Sequence, residues 1–156
     1  MASPILKVSL IFLGLLFGAH SIDAAEYTGR VVNIVDGDTF DIEASPENVR
    51  VRLCGVDSPE RGEPDFHAAK EVLRKLIAGK TVRCLQVGDG TPCDGRSCPK
   101  NRDRIVAQCF LGNLDIAAEM VRADMACDWP WFSGGHYRLS PSTCIDHRQP
   151  KQRCRP

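Results

Sequence analysis

The sequence has no surplus of either charge: 20 Lys and Arg stand against 20 Asp and Glu in 156 residues. No bulk positive potential therefore draws the chain to nucleic acid or to an anionic membrane. Long apolar runs are missing too. The uncharged stretch Val8–Ala19 (VSLIFLGLLFGA) falls short of the ~20 apolar residues that cross a bilayer. Zinc spacing is absent, since no C-x-x-C occurs and no histidine pair sits beside the closest cysteines, Cys93 and Cys98. So are a P-loop, H-E-x-x-H and G-x-S-x-G. With 43% hydrophobic and 26% charged residues, the composition excludes a coiled coil, a collagen, a multi-pass membrane protein and a low-complexity linker.

What is present begins with an address. Lys7 precedes the apolar stretch and small residues follow it, the pattern of a secretory signal peptide over residues 1–25. Cleavage after Ser21 or at Ala24/Ala25 puts the mature start between Ile22 and Glu26. All eight cysteines lie beyond it, and an even count in an exported chain reads as disulfides. Cys93–Cys98 is expected to close the loop CDGRSC, and Cys84–Cys109 to bridge two strands of one hairpin. The destination is secreted or periplasmic, with no stable membrane association after cleavage.

Alternation and turn signals predict strands over Tyr27–Val35, Thr39–Glu43 and Asn48–Gly55, linked by Asp36-Gly37 and Ser45-Pro46. Helical spacing of Phe66, Ala69, Leu73, Leu76 and Ile77 follows Pro64 and stops at Gly79. Lys80–Val87 and Arg104–Leu111 read as strands around a Gly/Pro/Asp/Cys-rich loop, and a second helix spans about Asp115–Ala123. Five strands with a helix after the third predict a mainly β (α+β) fold: an OB-type five-stranded Greek-key barrel with a C-terminal helix. The barrel domain covers residues 26–133. Residues 134–156 form an appended tail with Arg138, Arg148, Lys151, Arg153 and Arg155 against Asp146, carrying Cys144 and Cys154.

Chemistry concentrates in DGDTFDIEASPENVRVRLCGVDSPE, residues 36–60. Asp38 opens one strand, and Asp57 and Glu60 follow the strand that carries Arg52. A meander brings both places to one end, so Asp38 and Asp57 meet. Two adjoining carboxylates repel unless a cation lies between them, and oxygen donors suit Ca²⁺ more than Zn²⁺. The glycine and glutamate offsets of an EF-hand are not met. Parity puts Arg52 on the face opposite Val49, Val51 and Leu53, where its guanidinium suits a phosphate ester. Glu60 is placed to orient and deprotonate a water. Taken singly, each of these acids is what a solvated turn carries; the combination is what points to phosphoester chemistry.

VDGDTFDI, VRLCGVDSPE and RDRIVAQC resemble the staphylococcal-nuclease-like (thermonuclease) family from about Tyr27 to Phe132. The resemblance implies an OB barrel and a Ca²⁺-dependent phosphodiesterase acting on DNA and/or RNA. It implies Asp38 and Asp57 as metal ligands, with the backbone carbonyl of Ser58. Glu60 would act on the attacking water, and Arg52 and Arg104 would bind the phosphate. Water attacks in line, the 5′ oxygen leaves, and the arginines stabilise the transition-state charge. Glu60→Gln and Arg52→Ala are each expected to cut turnover by orders of magnitude with little change in melting.

The family commonly has Tyr-Gly before the second arginine; here Arg102-Asp103 stands there. Arg102 is the candidate replacement for the tyrosine's nucleotide contact, and Asp103 sits where a left-handed backbone would favour glycine. In DWPWF, Trp129, Trp131 and Phe132 are candidates to stack on a base or to pack the C-terminal helix against the barrel. His67, His136 and His147 are expected at the surface, and Arg122 in a structural ion pair. The protein is expected to be a monomer. The alternative function is a catalytically inactive OB module that binds an oligonucleotide or a protein.

Overall fold

In the first strand, β1 (Glu26–Ile34), alternation holds as far as Val31 and then slips, because Val31 and Ile34 both point inward. A bulge between Val31 and Asn33 absorbs the extra residue: Val31 faces Ile42 and Asn33 faces Asp41. β2 (Thr39–Glu43) and β3 (Asn48–Leu53) complete the meander, with Val51 and Leu53 buried as the alternation requires. The computed structural model describes residues 24–88 and 90–139. Most of the expected signal peptide, Cys144, His147, Cys154 and most of the expected basic tail lie outside the described residues.

After a short β4 (Val56–Asp57), helix α1 (Phe66–Ile77) packs Ala69, Leu73 and Ile77 inward. β5 (Thr81–Gln86), β6 (Lys100–Asn101) and β7 (Arg104–Leu111) follow. β8 (Leu114–Asp115) runs into α2 (Ile116–Arg122), and the Asp115 carboxylate caps α2 by accepting the Ala118 N–H at 3.2 Å. β9 (Cys127–Asp128) and the single turn α3 (Pro130–Ser133) end the described domain. The long strands run in the order β3-β2-β1-β5-β7, and β7 returns to pair in parallel with β3, Val51 beside Ile105 and Leu53 beside Ala107. This is the closed five-stranded barrel expected, filled by Phe40, Ile42, Val51 and Leu53 with Leu73 of α1 and Met120 of α2. Among the described residues, no helix is long and apolar enough to cross a membrane. Arg122 pairs with Glu119, as expected.

Cys84 and Cys109 face each other across β5 and β7 and form a disulfide. The expected Cys93–Cys98 bridge does not form. Cys93 is bonded to Cys54 instead, and Cys98 and Cys127 are also disulfide-bonded. The reason is local. The Cys93 carbonyl accepts the N–H groups of Arg96 and Ser97, a turn that directs Cys93 inward beside Cys54, Val87 and Val106. Replacing both Cys84 and Cys109 by Ala should cost about 3.5 kcal/mol in urea melts, the chain entropy released when a closed loop of 25 residues opens. A loss under ~1 kcal/mol would show that the sheet alone holds these strands.

Candidate active site

Asp38 sits where the turn after β1 enters β2. The Asp36 carboxylate accepts the Asp38 N–H at 3.0 Å and fixes that turn. A Cβ on Gly37 would fall 2.8 Å from the Cβ atoms of both Ala69 and Ser58, so only glycine lets α1 and the chain after β4 approach this closely. Asp38 is consequently buried, at 3% exposure. Its Oδ2 accepts both the backbone N–H and the hydroxyl of Ser58 at 2.9 Å, and its Oδ1 accepts the Thr39 hydroxyl at 3.0 Å.

The β2–β3 register sets Thr39 opposite Arg52. From there the Arg52 guanidinium reaches Asp38 Oδ2 with Nη1 and Asp57 Oδ1 with Nη2, each at 2.9 Å. Nη1 also donates to the Leu53 carbonyl at 3.0 Å. Asp38 and Asp57 therefore converge on one point, as the meander predicts. Arg104, at the start of β7, donates to the Thr39 hydroxyl at 3.5 Å and joins the same network through Thr39. Glu60 is different. Its backbone N–H donates to Glu63 at 2.8 Å, while its carboxylate is exposed and outside any ion pair among the described residues.

Burial pushes the Asp38 carboxyl up to about 7, because Arg52 offsets only part of the desolvation and Asp36 and Asp57 add repulsion. One guanidinium between two carboxylates leaves negative charge in a dry place. The donors are oxygens throughout, and Asp38 Oδ1 accepts one hydrogen bond of the two it can take among the described residues. No group of three or more His, Cys, Asp or Glu side chains forms a cage among the described residues. Asp38 and Asp57 are the residues that would hold a hard divalent ion here, two carboxylates whose oxygens suit such an ion.

Arg52 also lines a cleft of about 740 Å³ with Lys100, Arg102, Val106, Trp129 and Phe132. Trp129 and Phe132 meet edge to face, ring centres 4.7 Å apart. The Trp129 backbone N–H donates to the Gly55 carbonyl at 2.9 Å, and β9 pairs with β4 so that Asp57 lies opposite Cys127. The aromatic wall is thus tied to the strand that presents Asp57. Trp131 stands apart from the other two aromatic candidates: it is 54% exposed and does not line the cleft. On a single turn, residues 129 and 132 share a face and residue 131 points away from it.

Residues 50–133, from the middle of β3 to the end of α3, match the family described as staphylococcal nuclease homologue. The chain belongs to the staphylococcal nuclease family. An uncharacterized endonuclease of Haemophilus influenzae is 31% identical over 130 residues, covering 81% of this chain and 67% of that protein. The thermonuclease of Staphylococcus intermedius is 26% identical over 142 residues, 87% of this chain and 80% of that one. An uncharacterized endonuclease of Escherichia coli is 40% identical over 58 residues, and the match spans only 38% of its length.

Within this staphylococcal nuclease-like barrel, the Arg102-Asp103 departure resolves simply. Asn101 pairs with Arg104, so residues 102 and 103 are a two-residue hairpin turn. The left-handed residue is Arg102, at φ 60°, not Asp103. Asp103 pairs with Arg50 at 3.2 Å and so directs its charge to Arg50. Two features escaped the sequence: the Ser58 N–H and hydroxyl as the groups that aim Asp38, and the pairing of β4 with β9. A hydroxyl directly after Asp57 was the available signal for the first. Strands of two residues have no period to detect.

Proposed function

We propose that the protein is an exported, Ca²⁺-dependent nuclease that hydrolyses phosphodiester bonds of DNA and/or RNA, acting as a monomer. The observation that carries this is Arg52, which bridges Asp38 and Asp57 while forming the end of a cleft walled by cations and aromatic rings. Among the described residues its N–H groups donate hydrogen bonds to the Leu53 carbonyl and to Asp57, and Asp38 lies 2.9 Å from Nη1 as an ion-pair partner. The N–H groups outside these contacts can meet a phosphate oxygen. Arg104 approaches from β7 and adds a second fixed cation. A divalent ion held by Asp38 and Asp57 supplies Lewis-acid stabilisation of the phosphoryl oxygens.

Glu60 follows Asp57 and Ser58 on the same loop, and its carboxylate accepts the proton of the attacking water. Water bonds to phosphorus as the bond to the 5′ oxygen breaks, leaving a 3′-phosphate. That oxygen takes its proton from solvent, because the guanidinium groups bind the phosphate as donors that keep their protons. Trp129 and Phe132 offer faces or edges to a base, and Arg102 and Lys100 offer charge to the strand. Export is supported by the oxidised state: no cysteine is free among the described residues.

The test is direct. The oxidised protein should cut single- and double-stranded DNA and RNA with Ca²⁺ and leave them whole in EGTA, and calorimetry should register Ca²⁺ uptake. Folded protein that takes up Ca²⁺ without cutting would be a binding module, and cleavage of equal rate in EGTA would remove the metal from the scheme.

A further inference from the structure

A second cleft, of about 570 Å³, opens where the loop after Glu60 meets the start of α1. Its walls are Arg61, Glu63, Phe66, His67 and Lys70. Phe66 is the buried floor, with the Arg61 guanidinium 6.0 Å from its ring centre and the His67 ring edge-on at 5.2 Å. Glu63, the one acid among the described lining residues, turns its carboxylate to the Glu60 N–H.

Arg61 and Lys70 take part in no ion pair among the described residues. On the rest of the surface Arg30, Arg50, Arg74, Lys75 and Arg83 are matched by acids, while Lys80, Arg96 and Arg138 stand outside any ion pair among the described residues but line neither cleft. In a chain of zero net charge, cations left unmatched inside a concavity are charge reserved for an anion from outside. The place is fixed relative to the carboxylates, because Ala69 of α1 and Ser58 both close on Gly37 beside Asp38. Lys100 and Arg102, also outside any ion pair among the described residues, stand in the aromatic cleft that begins at Arg52. The Arg61 cleft follows directly from Glu60.

We propose that the Arg61–His67–Lys70 cleft is a second phosphate-binding subsite, holding the polynucleotide on the side of the reactive phosphate away from Trp129 and Phe132. This rests on the nuclease reading above and extends it: the substrate is a strand running through both clefts, cut internally, and a dinucleotide fills only part of the track. Each backbone phosphate held by a cation releases condensed counterions, and the subsite is therefore readable as salt dependence.

The experiment compares wild type, R61A/K70A and the charge-matched control R74A/K75A, on the helix that carries Lys70. Each is assayed on a single-stranded DNA 20-mer and on a dinucleotide, and binding of the fluorescent 20-mer is followed by anisotropy across NaCl concentration. For R61A/K70A, the 20-mer to dinucleotide ratio of kcat/KM should fall about tenfold. The slope of log affinity on log salt should shrink by about 1.4, two contacts at ~0.7 each for a single strand. The control should keep the wild-type ratio and slope. A wild type that cuts, together with an R61A/K70A ratio and slope like those of the control, overturns the subsite alone. If wild type binds the 20-mer without cutting and R61A/K70A loses the slope, the subsite stands and the hydrolase reading falls.

Discussion

Arg52→Ala is expected to lose turnover and stability together. Removing a fixed donor that is aimed at transition-state charge lowers kcat by about 10³-fold. The fold suffers too, because the Arg52 side chain is 13% exposed and Asp38 5%, and each is the other's counter-charge. Leaving a buried carboxylate without its cation costs about 3 kcal/mol, less where the acid escapes by protonation. Urea melts at pH 8 should show that loss, and melts at pH 5 should show much less of it. Parity alone places Arg52 on the outer face of β3 and predicts an unchanged melting curve; the closure of Ser58 and Asp57 over that face reverses the expectation. Glu60→Gln separates the two effects. Its carboxylate is exposed and outside any ion pair among the described residues, so turnover should drop by about 10²–10⁴ with the melting curve unmoved. If Arg52→Ala keeps wild-type turnover, the guanidinium does not touch the reacting phosphate.

The barrel was legible because its strands have one wet and one dry face. Val49, Val51 and Leu53 alternate with Arg50 and Arg52, and that period survives folding unchanged. The convergence of Asp38 and Asp57 was legible for a topological reason, since a meander returns its ends to one side. The parallel contact of β3 with β7 was not, because nothing local to Val51 names Ile105 as its neighbour. The same holds for Cys93. Its nearest cysteine in sequence is Cys98, yet the intervening turn points it at Cys54, 39 residues away. The left-handed position is expected at Asp103, whereas the tight turn puts it at Arg102 and delivers the Asp103 carboxylate to Arg50. His67 was expected simply at the surface, and it is exposed there; only folding shows Arg61 and Lys70 gathered around the same concavity. In each case the missing information was the direction a short irregular segment gives to one side chain.

Asp38→Asn is expected to abolish activity and stabilise the protein. The Asp38 carboxyl titrates near 7 when folded against an ordinary 3.8. The folded state therefore binds the extra proton between those values, and stability falls as pH rises through that window. Without added Ca²⁺, wild type should lose about 2–3 kcal/mol from pH 5 to pH 8, the cost of forcing charge onto a buried oxygen pair. Asparagine never carries that charge. Its carbonyl can keep the Ser58 donors, and its amide can donate to the Thr39 hydroxyl in place of accepting from it. Arg52 keeps Asp57. The net gain should be about 2 kcal/mol at pH 8, shrinking towards zero by pH 5, where Asp38 is already neutral. Cleavage should vanish at every pH: with its carbonyl held by the Ser58 donors, the uncharged amide presents N–H groups where a hard cation needs an oxygen. For wild type, saturating Ca²⁺ should remove most of the pH dependence by binding the ionised form. If the Asp38→Asn variant melts earlier than wild type at pH 8, the Arg52 pair outweighs the desolvation of Asp38. The negative charge would then be a support of the fold rather than a cost the fold bears for an ion.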